Sequence, residues 1–480
     1  MTSPFFILHP FLSNSSSIVQ INNKANYLGS PLLSDVLYRE TASLVEIIAD
    51  FSYQLARSLL KYIFEKADEE FRNSQNRTDH YYVKDTRERT IITIFGQLTY
   101  KRTIYQNRDT KKYFCYVDRK FGIPKYDQYD PCVKSMIYES YANNNSMIKV
   151  GQIIGDRIFS PFSLSKDRIY HAIPRQTVQN ILKSHSALAI QPASIEAAPD
   201  TLYVMADEKW IALQSHDENK EKERQMVKAA ISFEDVALVK GHKKRNQLVN
   251  RNVFFGTGSN FWNSIYDQLC SIYDMNSIKH IWVLGDGANW IKNGTYVFRS
   301  DSTRSSFSLD KFHFKQALRR ISKDKDIYGV LCSACENNDK KLFKETVEVL
   351  LEDETCPRDT IETNRDYILS NWSYIQNTYQ SMSMPCSMES GISHHICSQF
   401  TSVPKAYIRE NLSKYLSLRE SFINGYDLRN MYIQSVGIEP NDKGVIDLAE
   451  EYDFSMFDKK DHGIKSTIEW LIDHKTESCL

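Results

Sequence analysis

Two aspartates stand at the ends of apolar, strand-like runs of the chain, and a glutamate opens a later helical segment. Asp207 ends the apolar run in LYVMADEKW, Asp286 follows WVLG, and Glu389 lies within CSMESGISHHI. Carboxylate oxygens are the ligands that Mg²⁺ prefers, and two such ions can activate an attacking oxygen and stabilise a departing one. Any one of these residues alone would more often be a solvated strand end or a helix cap. The ordered set predicts a site for two Mg²⁺ or Mn²⁺ ions and phosphodiester chemistry.

A second group of polar residues accompanies this set. Asp310 and His313 are three residues apart at the start of a helical segment. There, His313 could contact a scissile phosphate or steady a metal-bound carboxylate, although a lone histidine in such a position is more often structural. Further candidates for contact with phosphate or water follow Glu389, and the first of them should share its helical face: Ser393, His394 and His395.

The elements that would position these residues follow from the pattern of apolar runs. Three strand-like runs, a helical segment and a fourth strand-like run follow one another between residues 201 and 290. This is the order of the ribonuclease-H-like core, in which the first and fourth strands are neighbours, so Asp207 and Asp286 should meet. Successive side chains of a strand point to opposite faces, so Glu208 should face away from Asp207. Gly287 would allow a DNA backbone to approach closely.

The whole pattern predicts a multidomain protein of mixed α+β and α/β class. We expect residues 1–125 to form a module of one helix, over about 38–71, and a β-hairpin around Gly96. A helix-turn-helix-like region should follow at 126–190. The ribonuclease-H-like core would occupy 191–313 and 385–430, with a helical insertion at 314–384 and a C-terminal tail region at 431–480.

Two kinds of sequence suit contact with DNA. The last helical segment before residue 190 begins near Pro174 with short polar side chains, which is typical of a helix that reads the major groove; a small structural bundle is the alternative. Its candidate contact residues are Arg175, Gln176, Thr177, Gln179 and Asn180. Basic runs over 99–113 and 236–251 suit phosphate contacts, but each could equally be a solvated loop or strand edge. The second run contributes Lys243, Lys244 and Arg245.

The composition is that of a globular protein, with 41% hydrophobic and 25% charged residues among 480. The 60 basic and 60 acidic residues cancel, which counts mildly against a nucleic-acid enzyme. We find no apolar run long enough for a membrane span and no clear signal peptide, so we expect a cytoplasmic, nucleoid-associated protein. Nine cysteines, an odd number, argue against a disulfide framework. Weak zinc candidates are the pair Cys332 and Cys335, and the set Cys386, His394 and Cys397.

These motifs resemble the bacterial insertion-sequence transposases of the ISLre type. The matching stretches, in the family's order over roughly residues 85–410, are TIFGQLTYKR, FGIPKYDQYDP, ADEKWIALQ, VLGDGANWIKNG, LDKFHFKQAL and CSMESGISHHICS. That family is similar to the Mutator-like DDE transposases, which share a ribonuclease-H-like core, a helical insertion and an Asp-x-x-His motif, matched here by Asp310 and His313. The resemblance implies Asp207, Asp286 and Glu389 as the acidic triad, Mg²⁺ as cofactor, and terminal inverted repeats and target DNA as partners.

Three functions stay open on this basis. The first is a DDE transposase that cleaves element ends and joins them to target DNA, as a homodimer or higher oligomer because two ends must be held together. After Glu389 the chain departs from the family, since Val403 precedes Pro404 where a Ser-Arg-Pro-like run is expected. A catalytically inactive, transposase-derived DNA-binding protein is therefore the second. The third is a ribonuclease-H-like nuclease that acts on branched DNA.

Overall fold

The computed structural model describes residues 33–158, 172–184, 198–214, 223–241, 246–352, 357–380, 386, 388–402 and 405–435. The chain divides into two compact units. The first comprises Met1–Lys134, Gln152–Ala172 and Val436–Leu480, and the second comprises Ser135–Gly151 and Ile173–Ser435. Within the described ranges, no helix combines the length and the apolar character that crossing a membrane requires.

The first unit contains a long helix and a small antiparallel sheet. Its elements are α1 (Leu33–Asn73), α2 (Gln75–His80), β1 (Tyr81–Thr93), β2 (Gly96–Asn107), β3 (Tyr113–Cys115) and α3 (Tyr116–Lys120). β1 and β2 form a hairpin whose turn reaches Gly96, and this residue has a φ of +102°, which glycine adopts without steric cost. The predicted N-terminal helix and hairpin are thus present. The sequence did not predict β3, which pairs with β2.

Several charged side chains of this unit are engaged inside it. Asp68 of α1 is buried and accepts hydrogen bonds from groups of β2. Asp118 of α3 forms ion pairs with Arg102 and, at 2.7 Å, with Arg89. Because Arg102 is neutralised in this way, the basic run over 99–113 is less available to phosphate at this position than its sequence indicates.

Three helices occupy the region in which the sequence predicts a helix-turn-helix: α4 (Pro131–Asn143), α5 (Met147–Ile158) and α6 (Arg175–Lys183). Residues 144–146 separate α4 from α5, whereas most of the chain between α5 and α6, residues 159–171, lies outside the described residues. A helix-turn-helix joins its two helices by about three or four residues, which is the length of the segment between α4 and α5. A helix-turn-helix whose second helix is α6 stays a prediction.

The second unit contains a mixed five-stranded sheet. Its strands are β4 (Thr201–Ala212), β5 (Arg224–Phe233), β8 (Asn252–Gly256), β9 (His280–Gly285) and β10 (Arg304–Leu309), and β6 (Asp235–Leu238) and β7 (Asn246–Val249) form a separate hairpin after β5. The order across the sheet is β10-β9-β4-β5-β8. Strands β4, β9 and β10 are parallel, and β5 is antiparallel to both of its neighbours. The first and fourth strands of the sheet are thus adjacent, as predicted.

The remaining elements of the second unit are mostly helices, which lie between the strands and after them. After β8 come α7 (Phe261–Cys270), a 3₁₀ turn (Met275–Ser277), β9, α8 (Asn289–Lys292), α9 (Gly294–Phe298), β10 and α10 (Lys311–Ile321). Four helices occupy the range predicted as a helical insertion: α11 (Lys325–Glu336), α12 (Lys340–Glu352), α13 (Arg358–Ser370) and α14 (Trp372–Gln380). The described chain then ends with α15 (Met388–Ile392), a π-helix (Ser393–Thr401), α16 (Arg409–Ile423) and α17 (Leu428–Ser435). Cys332 and Cys335 lie on α11 and pack against the hydrophobic core.

The insertion packs directly against the outer strand β10. The Asn377 side chain donates a hydrogen bond of 2.7 Å to the carbonyl of Phe307, and the Thr378 hydroxyl donates one of 2.7 Å to the carbonyl of Leu309. An edge strand exposes unpaired backbone groups, and these contacts satisfy two of them. The insertion is therefore joined to the sheet itself.

The opposite edge of the sheet is satisfied by α16. The backbone N–H of Phe255 on β8 donates a hydrogen bond of 2.6 Å to the Glu420 carboxylate. Asn424 bonds both the N–H and the carbonyl of Val253, each at 2.8 Å. The side chains of Glu420 on α16 and of Asn424, which directly follows this helix, thus take the place of a neighbour strand for β8.

Candidate functional site

Asp207 and Asp286 lie side by side at one end of the sheet. Pairing between the parallel strands β4 and β9 ends two residues before each of them. Asp207 Oδ1 accepts a hydrogen bond of 2.7 Å from the backbone N–H of Glu208, and Asp286 Oδ1 accepts one of 2.9 Å from that of Ala288. Burial, and with it the negative charge of Asp286, raises the pKa of Asp207. The two carboxylates therefore repel one another, which a bound cation would relieve.

Asp310 joins these residues from the end of β10. Its backbone N–H donates a hydrogen bond of 2.8 Å to the last carbonyl of β9, and its carboxylate accepts one of 3.1 Å from Phe312 at the start of α10. The side chain is buried. Burial, together with the negative charges of Glu389 and Asp286, raises its pKa. The sequence paired Asp310 with a histidine alone, whereas the parallel strands bring it to the other carboxylates as well.

His313 lies one turn into α10. Its Nε2 is 3.6 Å from Asp310 Oδ2, and its side chain is 34% exposed. Its positive charge, when protonated, acts to lower the pKa of both Asp207 and Asp310. His313 therefore lies among the predicted acidic residues, and its contact with phosphate stays a prediction.

Glu389 lies in the first turn of α15, a helix that packs against β4 and β5. Its side chain is exposed, and its charge reaches Asp310. The backbone changes from α- to π-helix at Ser393, a transition that often occurs at functional sites. Beyond it, His394 and His395 line a separate cavity next to the carboxylates.

Cys386 is a further neighbour of the acidic residues. Burial raises the pKa of its thiol, and the negative charges of Asp310, Asp207 and Asp286 raise it further. The sulfur is therefore protonated at neutral pH and adds no negative charge to the site. The sequence had considered this residue only for a zinc set.

The ligand types at this site suit a hard cation. Asp207, Asp286, Asp310 and Glu389 supply only carboxylate oxygens, which Mg²⁺ and Mn²⁺ prefer. Over the described ranges, no three His, Cys, Asp or Glu side chains are arranged so that they could hold a metal ion together. The assignment of Asp207, Asp286 and Glu389 as metal ligands stays a prediction, supported by ligand chemistry and mutual repulsion.

Residues of the insertion that contact Asp286 were missed by the sequence analysis. The Tyr367 hydroxyl, on α13, donates a hydrogen bond of 2.7 Å to the Asp286 carbonyl, and Asn371 donates one of 2.9 Å to the Tyr367 carbonyl. Gly287 has a φ of +97°, and a Cβ there would lie 3.0 Å from Leu309 Cδ1 and 3.2 Å from Asn371 Oδ1. An amphipathic helical pattern identifies α13 but gives no sign of a partner 81 positions away.

Glu208 faces away from the acidic site, as predicted. Its carboxylate accepts a hydrogen bond from the indole N–H of Trp290. The Lys228 ammonium lies 5.2 Å from the centroid of the same indole ring and bonds the Gly258 carbonyl at 3.2 Å. Glu208 is thus part of a packed aromatic and ionic group on the other face of β4.

The other predicted contact residues are on α6 or outside the described residues. Val178, Ile181 and Leu182 of α6 are buried. The polar residues are exposed or half-buried: Arg175, Gln176, Thr177, Gln179 and Asn180. Lys243, Lys244 and Arg245 lie outside the described residues, as do Val403 and Pro404. DNA contact by either group stays a prediction.

The fold and the site define a mixed α and β protein with carboxylates gathered at one end of a five-stranded sheet. The chain belongs to the uncharacterised protein family UPF0236, whose profile matches residues 38–435. A UPF0236 protein of Caldanaerobacter subterraneus subsp. tengcongensis is 24% identical over 434 residues, which is 86% of each chain. Another from that organism is 25% identical over 405 residues, covering 81% of this chain and 79% of its own, and its name joins eleven designations.

Among solved structures, a chain of the Drosophila P element transposase strand transfer complex is similar to this protein. It is 11% identical, and the match covers 67% of this chain and 84% of that chain with a TM-score of 0.22. A TM-score this low carries no argument about fold or function.

Proposed function

We propose that the protein is a DDE transposase of a bacterial insertion sequence, of the ISLre type, that cleaves element ends and joins them to target DNA. The observation that carries the proposal is the placement of Asp207 and Asp286, each two residues beyond the last pair between the parallel strands β4 and β9. Glu389 belongs to the same electrostatic group through its effect on Asp310. Such a set of carboxylates suits two-metal phosphodiester chemistry.

The topology of the sheet supports a ribonuclease-H-like core. Counted within the sheet alone, the strand order is 5-4-1-2-3, with only the second strand antiparallel to the rest. The helices α11–α14 interrupt the chain between the fifth strand and the helix that carries Glu389, and a helical insertion is also a feature of the Mutator-like transposases that the sequence resembles. A relative whose name joins eleven designations also suits a gene present in several copies, which is what transposition produces.

Each residue of the site would have a defined task. Asp207, Asp286 and Glu389 would hold two Mg²⁺ or Mn²⁺ ions. When bound, these ions would act as Lewis acids toward the attacking and the departing oxygen. His313, whose Nε2 is 3.6 Å from Asp310 Oδ2, would lie beside the substrate. The imidazole would then donate a hydrogen bond to a phosphate oxygen.

DNA would be held outside this site by polar and basic surfaces. The exposed side of α6 would contact the terminal inverted repeats, and the run at Lys243, Lys244 and Arg245 would contact phosphates. Since two ends are joined in one reaction, we assign the active form to a homodimer or higher oligomer on DNA. Such a protein acts at the nucleoid in the cytoplasm.

The test is an assay with labelled duplexes that carry the sequences flanking the protein's own gene, together with a plasmid target. We expect strand breaks at the element boundary and joined products with Mg²⁺, and neither product with EDTA. Binding without strand breaks would instead identify a catalytically inactive, transposase-derived DNA-binding protein. Cleavage of four-way junctions without joining would identify a nuclease for branched DNA.

A further inference from the structure

A cavity of about 780 Å³ lies next to the acidic site in the second unit. It is bounded by β4 and β5, by the β6–β7 hairpin and by α15 with its π-helical continuation. The lining residues that matter most are Met205, Ile231, Leu248, Arg251, His394 and His395. Its volume is within the range of about 300–1,000 Å³ that is usual for sites of small organic ligands.

One wall of the cavity is apolar. Met205 and Ile231 are directly paired between β4 and β5, and both are buried. Gly391 of α15 also lines the cavity, and a Cβ there would lie only 2.7 Å from Ile231 Cδ1. The missing side chain lets the helix lie close to the sheet, and Leu248 adds apolar surface from the hairpin. A flat, uncharged ring system could pack against such a wall.

The other wall carries one cationic side chain, that of Arg251. Arg251 and His394 are exposed there, and no Asp or Glu is among the lining residues. Arg251 forms no salt bridge with any carboxylate in the described ranges. Burial lowers the pKa of His395 to about 4, and the positive charges of Arg251, Arg419 and His394 contribute. The cavity therefore favours an anionic group.

The cavity is a neighbour of the acidic site along β4 and α15. Met205 is two residues before Asp207 on the same face of β4, and two further lining residues, Ser390 and Gly391, directly follow Glu389. On the basis of the proposed function, we propose that this cavity binds a single unpaired nucleotide of the DNA strand being cut. Its base would pack against the apolar wall, and its phosphate would face Arg251 and His394.

The test uses the full chain in EDTA, so that no strand is cut. A single-stranded hexanucleotide, TTT(2-aminopurine)TT, is titrated and compared with the same strand in a duplex. We expect the single strand to bind at least about tenfold more tightly, with a change in 2-aminopurine fluorescence. Arg251→Ala should weaken this binding by about tenfold. Arg304→Ala, which removes an exposed arginine at the start of β10, is the matched control and should change it less than about twofold.

Three results would overturn the proposal: equal binding by Arg251→Ala, equal or tighter binding of the duplex, or displacement of the strand by millimolar inorganic phosphate. The last would identify a simple anion site. Failure of this proposal is distinguishable from failure of the proposed function. Wild-type protein that cuts element ends but binds the hexanucleotide independently of Arg251 refutes the cavity alone, whereas Arg251-dependent binding without any cutting refutes the transposase alone.

Discussion

The Tyr367 hydroxyl donates a hydrogen bond of 2.7 Å to the backbone carbonyl of Asp286. It joins a helix of the insertion to the residue that directly follows β9. Asn371 extends the contact by bonding the Tyr367 carbonyl and lying against Gly287. The insertion therefore supports the backbone of the acidic site and is more than a spacer between β10 and α15.

Replacing Tyr367 by phenylalanine should impair catalysis more than folding. Tyr367→Phe removes one buried hydrogen bond, worth about 1 kcal/mol, and leaves the Asp286 carbonyl without this donor. We expect about a tenfold lower maximal cleavage rate with unchanged DNA affinity. Single-turnover cleavage at saturating DNA measures this. Tyr296→Phe, on a side chain that is 72% exposed, is the control, and an equal loss in both variants would contradict the assigned role.

The turn after Asp286 should depend on glycine. Gly287→Ala places a side chain at a φ of +97° and 3.0 Å from Leu309 Cδ1, which should cost about 1–3 kcal/mol of unfolding free energy. Gly329→Ala is the matched control, because a Cβ added there would have no other atom within 4 Å and the residue does not have a positive φ. That variant should be neutral or up to about 1 kcal/mol more stable. Urea unfolding measures both, and a neutral Gly287→Ala would show that the turn relaxes freely.

The ionised carboxylate of Asp310 should reduce the free energy of unfolding when no metal is bound. Burial and the negative charges around it raise its pKa, so the folded state binds this proton more tightly than the unfolded state. Stability attributable to the residue therefore falls as pH rises above the ordinary value of about 3.9. Asp310→Asn keeps an oxygen for the Phe312 N–H, and in EDTA at pH 8 it should be more stable than wild type. Added Mg²⁺ should stabilise the wild type more than the variant and so reduce the difference between their free energies of unfolding. An Asp310→Asn variant that is less stable than wild type in EDTA at pH 8 would contradict the argument.

Glu420 should give the fold a second pH dependence. Burial raises its pKa to about 7, above the ordinary value of about 4.3. The folded state therefore holds the proton on Glu420 more tightly than the unfolded state does. The resulting contribution to the free energy of unfolding is complete below about pH 4 and is lost as the pH rises to about 7, a fall of up to about 3 kcal/mol. Glu420→Gln keeps an acceptor for the Phe255 N–H and should remove this fall. Urea unfolding at pH 5 and pH 8 tests it, with the exposed Glu410→Gln on the same helix as control; equal pH dependence in wild type and Glu420→Gln would refute it.

The sequence predicted that Asp207 and Asp286 are neighbours because its order of strands and helix matches that of the ribonuclease-H-like core, in which the first and fourth strands are adjacent. It also predicted the opposite facing of Glu208, because side-chain alternation is local. It did not predict the contact of Tyr367 with Asp286, since a helical pattern shows which face is buried but not which loop that face will contact. Nor did it predict that Glu420 satisfies the β8 edge, because an isolated glutamate in a helix is normally exposed.

Helical periodicity also identified α4, α5 and α6, because the spacing of apolar residues along a helix is a local pattern. Contact of α6 with DNA stays a prediction, since it depends on the surface that the folded protein presents and not on periodicity.

The most direct measurement compares Asp286→Asn with Asp301→Asn in the Mg²⁺-dependent cleavage of the protein's own element ends. Asp301 is exposed and precedes β10 at the end of the sheet opposite to the acidic site, so it is a matched carboxylate without a role. The account predicts that Asp286→Asn abolishes cleavage while DNA affinity stays within a few-fold of wild type, and that Asp301→Asn cuts normally. Cleavage by Asp286→Asn at the wild-type rate, or loss of binding as large as the loss of cutting, would contradict it.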